Sequence, residues 1–131
     1  RKMMESLCSN THVSYVFLSL PTFSPCIFLE MAFPNVMPRQ LSGGHTHLYT
    51  ESSLEWFEKE YGLTPLAKWW FGTDVVDLYR SIYVSLQSDA NVAEMSDLWK
   101  TMFQPVIDEL QLVLDKKHLS SEVHVLYRLP K

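Results

Sequence analysis

The stretch HVSYVFLSLPTFSPCIFLEMAF, His12 to Phe33, is apolar enough, behind Arg1 and Lys2, to suggest a membrane anchor or a signal peptide, and its prolines argue against both. Pro21 and Pro25 break it and Glu30 charges it, so no uninterrupted run approaches the roughly 20 apolar residues that a spanning helix needs. No small-x-small cleavage site follows the apolar part, which ranks a targeting role below a structural one. What remains is two short apolar runs bounded by Ser and Pro, Tyr15 to Leu20 and Cys26 to Phe33. Rich in Phe, Val, Ile and Leu, they read as strands buried on both faces, which hints at a central parallel sheet.

Downstream, Pro34, Asn35, Pro38, Ser42, Gly43 and Gly44 make a turn-rich loop of about a dozen residues, longer than most connections and of a length that tends to carry function. Thr50 then opens a helix. Its hydroxyl can accept from a free first-turn amide, and Glu51 suits the positive end of the dipole. Leu54, Phe57 and Tyr61 share one face with Trp56 beside them, while Glu55, Glu58, Lys59 and Glu60 are assigned to water. Gly62 follows as a left-handed cap. Leu63 to Phe71, with Pro65 and the rings Trp69, Trp70 and Phe71, suits an edge strand. Thr73 caps a second helix with Asp74 and Asp77 in its first turn, and Met95 to Leu114 is a third helical stretch that Pro105 must kink or restart. SSEVHVLYRLPK closes the chain as a strand, Val123, Val125, Tyr127 and Leu129 alternating with His124, Leu126 and Arg128.

At 131 residues, with 47% apolar and 20% charged residues, the chain has room for one domain and enough apolar surface to build its core. The net charge of -4, with Lys and Arg scattered, lacks the footprint of a nucleic-acid binder. Cys8 and Cys26 form no C-x-x-C and have no His at ligand spacing, so a reducing, cytoplasmic home without membrane association is expected. There is no G-x-G-x-x-G, P-loop, G-x-S-x-G or H-E-x-x-H.

His45 and His47 project to one side if their segment is extended, but no third ligand is evident, so no metal site is expected. The stronger reading is that they border a cleft, where imidazole suits proton transfer or a hydrogen bond to substrate. Trp69 and Trp70 point to opposite faces of a strand, so at most one can line a given pocket. Asp77 and Arg80, three apart on a helix, read as a surface salt bridge. Glu30, read as the end of an apolar strand, falls where ligands sit in open α/β sheets.

The order FLEMAFPN, then GGHTHLYTESSLEWFEKEYGL, then AKWWFGTDVVDLYRSI, then a helix and a last strand, resembles the C-terminal half of class I S-adenosylmethionine-dependent methyltransferases acting on small molecules. Glu30, Pro34, Asn35, His47, Tyr49, Thr50, Leu54 and Gly62 stand at the positions that carry the likeness, which covers about Cys26 to Arg128. EMAFPN is longer than the usual spacing, and Arg1 to Phe23 shows no L-x-P-G-G turn.

The resemblance implies an α/β fold: a partial Rossmann-like sheet of C-terminal strands with three to four helices, lacking the N-terminal cofactor-binding strands. Residues 1–25 are then an unassigned segment and 26–131 the methyltransferase-like region. It implies a truncated enzyme, inactive alone, that keeps the substrate side: His47 as general base or hydrogen-bond partner, and Glu30, Asn35, His45 and Tyr49 as substrate contacts. S-adenosylmethionine is the family's cofactor. Its Gly-rich turn and ribose-binding acid are missing here, so tight binding by this chain is not expected. A second copy or a partner chain would cover the exposed sheet. The alternative expectation is a complete small α+β module that binds a protein through its aromatic surface and does no chemistry.

Overall fold

In the computed structural model, which describes residues 1–36 and 45–131, the chain is an α/β unit built around a three-stranded sheet of order β1-β3-β2. The elements run α1 (Lys2–Ser9), β1 (Tyr15–Pro21), α2 (Cys26–Ala32), α3 (Glu51–Tyr61), β2 (Thr64–Phe71), α4 (Asp74–Ser88), α5 (Met95–Phe103), a 3-10 turn (Gln104–Val106), α6 (Ile107–Lys116) and β3 (Glu122–Arg128). Pro38, Ser42, Gly43 and Gly44 of the expected loop lie outside the described residues.

The sheet corrects the expectation of parallel neighbours. β3 pairs antiparallel with both flanking strands, Leu18 opposite Val125 and Trp69 opposite His124. The flanking strands therefore point the same way without touching. β1 is also not buried on both faces: Val16, Leu18 and Leu20 turn toward the core, while Tyr15 and Phe17 are exposed. The alternation that antiparallel sheets show when one face is left open is present in β1 itself.

The second correction is Cys26 to Phe33, expected as a strand and found as the helix α2. Pro25 stands at its N-cap with φ -54, already helical, and the amide of Cys26 is taken by Ser24 Oγ at 3.2 Å. Cys26, Ile27 and Glu30 face inward while Phe28 and Met31 are exposed, a helical spacing hidden in a run that is apolar all round. Glu30 is thus a buried helical residue with a partner, not the end of a strand.

Most other local signals hold, although Thr73 stands at the N-cap of α4 without a side-chain cap hydrogen bond, its Oγ1 donating to Asp77 Oδ2 at 3.4 Å instead. Thr50 and Ser53 form a reciprocal capping box, and Gly62 ends α3 at φ 62 with the amide of Leu63 reaching Glu58 O at 2.8 Å. β2 is an edge strand with its register shift between Pro65 and Ala67. Pro105 sits in the 3-10 turn that divides α5 from α6.

The core lies on one face of the sheet. Met4, Leu54, Leu63, Trp70, Val123, Val125, Tyr127 and Leu129 form it, with Val16, Leu18, Leu20 and Phe57 packed against them. Residues 1–25 take part in it through α1 and β1. The opposite face keeps an aromatic group in the open: His124 meets Phe17 and Trp69 edge-on at 5.1 Å each, and Phe71 at 4.3 Å. Trp69 and Trp70 do point apart, Trp70 stacking inward on His118 at 5.0 Å.

Candidate functional site

The segment between His45 and Thr50 is fixed at one point, the C-terminal end of β1. Phe23 N donates to Tyr49 O and Tyr49 N donates to Pro21 O, both at 2.9 Å, making a parallel bridge. Thr22 N meanwhile donates to Ser121 O on the β3 side, so the bridge occupies the outer edge of β1. One residue later Thr50 caps α3, so the backbone that carries His47 and Tyr49 is held against the first turn of that helix.

This arrangement leaves a groove of about 410 Å³ between the segment and the outer face of α3. His47 and Tyr49 line it from the segment, Ser53, Trp56, Phe57, Glu60 and Tyr61 from α3, and Arg1 lines it as well. Phe57 and Tyr61 pack edge-on at 5.0 Å, which stiffens the floor. His47 is exposed, its Nδ1 2.9 Å from Thr46 Oγ1, leaving Nε2 as the ring atom available to a ligand. The groove can thus supply an imidazole, a phenol, a hydroxyl and a carboxylate around aromatic walls.

Of the five residues singled out in the sequence, the groove brings together His47 and Tyr49. His45 is exposed two residues upstream, Asn35 is exposed at the far side of the undescribed segment, and Glu30 is buried in α2; none lines the groove. Sequence reasoning passed over Trp56, Ser53 and Glu60. The signal was there: Trp56 is a large ring just off the apolar stripe of an otherwise polar helix face. Among the described residues no group of three or more His, Cys, Asp or Glu side chains stands together as a metal site, and no helix is long and apolar enough to cross a membrane.

Two carboxylate environments depart from expectation. Glu58, assigned to water, turns inward instead: Lys68 Nζ lies 2.6 Å from its Oε1 and Tyr127 OH donates to the same oxygen at 2.9 Å. Burial first, then the hydrogen bond to Glu58, pushes the Tyr127 phenol well above its ordinary range. Asp77, expected in an exposed pair with Arg80, is buried and accepts from Cys26 Sγ at 3.2 Å and Thr73 Oγ1 at 3.4 Å. Its neighbour Asp74 accepts from Ser24 Oγ at 2.6 Å and Ser121 N at 2.9 Å. These groups pin the start of α4 to the ends of β1 and β3. Helix periodicity alone misses them because the first turn of α4 points into the protein rather than along its surface.

Compared with family models, curated proteins and solved structures, the chain finds no match in any of the three.

Proposed function

We propose that this chain is the substrate-side part of a class I S-adenosylmethionine-dependent methyltransferase acting on a small molecule. The observation that carries the proposal is the stitching of Tyr49 to the C-terminal end of β1, which sets His47 and Tyr49 over an aromatic groove at a strand end. In this role the groove holds the acceptor, and His47 positions it or takes its proton as the methyl group moves in line from sulfur. The donor's sugar and amino-acid ends need a Gly-rich turn and an acidic residue that the sequence does not supply, so the groove provides one half of a bipartite site. Below the Tyr49 bridge the outer edge of β1 pairs with no strand among the described residues, and with Tyr15 and Phe17 exposed beside it, this is where further strands would join.

Calorimetric titration with S-adenosylmethionine tests the division of labour. The chain alone gives no heat at micromolar donor. A form extended upstream through a Gly-rich strand-turn binds the donor and transfers its methyl group to a small acceptor, with His47→Ala slowing transfer by about 100-fold, the scale of one general base. Donor binding by the short chain, or its absence from the extended one, refutes the proposal.

The second reading, a non-catalytic interaction module, draws on α5 and α6, where Met95, Leu98, Met102, Leu110, Leu112 and Val113 are exposed. Methyl transfer by the extended form decides between the two.

A further inference from the structure

We infer that the groove between His47 and α3 selects a small protonated amine, which gives its N–H proton to His47 to free the nitrogen lone pair before the methyl group moves to it, so that the acceptor of the proposed reaction is an amine; a quaternary ammonium, which has no lone pair, fits the same groove only as product or probe. The inference rests on reading this groove as the acceptor side, and it deepens that reading by naming the ligand class.

Three observations carry it. The first is Trp56, which is 61% exposed at the groove wall; among the described residues its indole has no ring partner and no hydrogen-bond acceptor. A tryptophan face open to solvent in a concave site is the strongest side-chain surface for an ammonium group, because the negative face of its quadrupole attracts the cation. The second is that Trp56 does not stand alone, since Tyr49, Phe57 and Tyr61 line the same groove and exclude water from the flanks of a methylated or alkylated nitrogen.

The third is charge. Glu60 lines the groove, and among the described residues it makes no ion pair. The other full charge there is Arg1, whose Nε is engaged by Glu5 Oε1 at 3.0 Å and stands only at longer range to Glu60. A cation placed against the rings thus meets a carboxylate whose counter-charge is already committed elsewhere. An anion would meet Glu60 and a guanidinium that already has its partner. A neutral apolar ligand would leave the Glu60 carboxylate without the interaction that its place in the groove offers.

The test is a charge-resolved titration of the chain followed by two-dimensional amide and indole NMR. It needs no methyl donor. The probes are phenyltrimethylammonium, its neutral isostere tert-butylbenzene, and benzoate. The expected result is that the ammonium shifts the Trp56 indole and the Tyr49 amide saturably at millimolar concentration, binding about 2- to 5-fold more tightly than either other probe, the ratio that one exposed cation-aromatic contact gives. Trp56→Ala and Glu60→Gln each weaken the ammonium by about 2- to 5-fold and leave the spectrum of the free chain intact elsewhere. Equal binding of tert-butylbenzene, tighter binding of benzoate, or shifts that map away from Trp56 overturn the inference.

Failure here and failure of the methyltransferase reading separate cleanly. Ammonium binding in a protein whose extended form never takes the donor leaves this inference standing and removes the other. Methyl transfer by the extended form to a neutral or anionic acceptor in preference to an amine does the reverse.

Discussion

Replacing Gly72 with alanine is the sharpest probe of how the end of the sheet is held. Gly72 lies between β2 and α4 and does not have a positive φ, so alanine carries no torsional penalty there. The penalty is contact. A Cβ at this position meets Asp74 Oδ2, and lies 2.6 Å from Ser121 Oγ and 3.0 Å from Ser121 N. Asp74 has nowhere to withdraw, being 2% exposed and bound by Ser24 Oγ at 2.6 Å and Ser121 N at 2.9 Å. Relief requires breaking the Ser121 amide bond to a buried carboxylate or shifting the start of β3, either of which costs about 2–3 kcal/mol.

Gly62→Ala is the matched control. Its Cβ meets nothing nearer than Pro130 Cβ at 3.7 Å, but its φ of 62 costs about 1 kcal/mol through backbone strain alone. In urea unfolding followed by tryptophan fluorescence, with a slope of about 2 kcal/mol per M, the midpoint falls by about 1.2 M for Gly72→Ala and about 0.5 M for Gly62→Ala. The slope itself stays constant in both. A Gly72→Ala midpoint within about 0.3 M of wild type, or above that of Gly62→Ala, refutes the claim that Asp74 is locked between β1 and β3.

Three shorter expectations follow from other parts of the fold. Because burial and Glu58 raise the folded-state pKa of Tyr127, its contribution is complete below the unfolded tyrosine range of about pH 10 and is lost as pH rises beyond it. Wild type therefore loses stability above about pH 10 more steeply than Tyr127→Phe, and parallel alkaline limbs in the two urea series refute this. Thr50→Ala removes the acceptor for Ser53 N at 3.2 Å and lowers stability by about 1 kcal/mol; a neutral effect by the same assay shows that the capping box is dispensable. Phe17→Lys places a charge on an exposed ring position of β1, whose outer edge pairs with no strand among the described residues, and reduces concentration-dependent association in sedimentation, an idea refuted if wild type and variant sediment alike up to millimolar concentration.

The candidate site was legible in part. His47 and Tyr49 are singled out through the methyltransferase resemblance, and the cap at Thr50 just behind them holds their segment to the start of α3. Glu30 and Asn35 depend on Cys26 to Phe33 being a strand, as the methyltransferase resemblance implies; because that run is a helix, Glu30 turns inward and the groove is lined instead by Ser53, Trp56, Phe57, Glu60 and Tyr61 of α3. Periodicity sets Trp56 beside the apolar stripe and Glu60 toward water, which describes a helix by itself and not the wall it makes with a neighbouring segment.

What the sequence by itself determined is local. Thr50 and Gly62 bound α3, Pro105 divides α5 from α6, Pro65 sits on an edge strand, and the alternation of Val123, Val125 and Tyr127 gives β3 its buried face. Each rests on a torsion, a missing amide or a period that a few neighbouring residues set. Only the tertiary structure decided the state of Cys26 to Ala32, the antiparallel place of β3 between β1 and β2, and the inward turn of Glu58, Asp74 and Asp77. An all-apolar run carries no period of its own, strand partners are chosen across the length of the chain, and a carboxylate goes inward only where distant donors such as Lys68, Ser24 and Ser121 are brought to meet it.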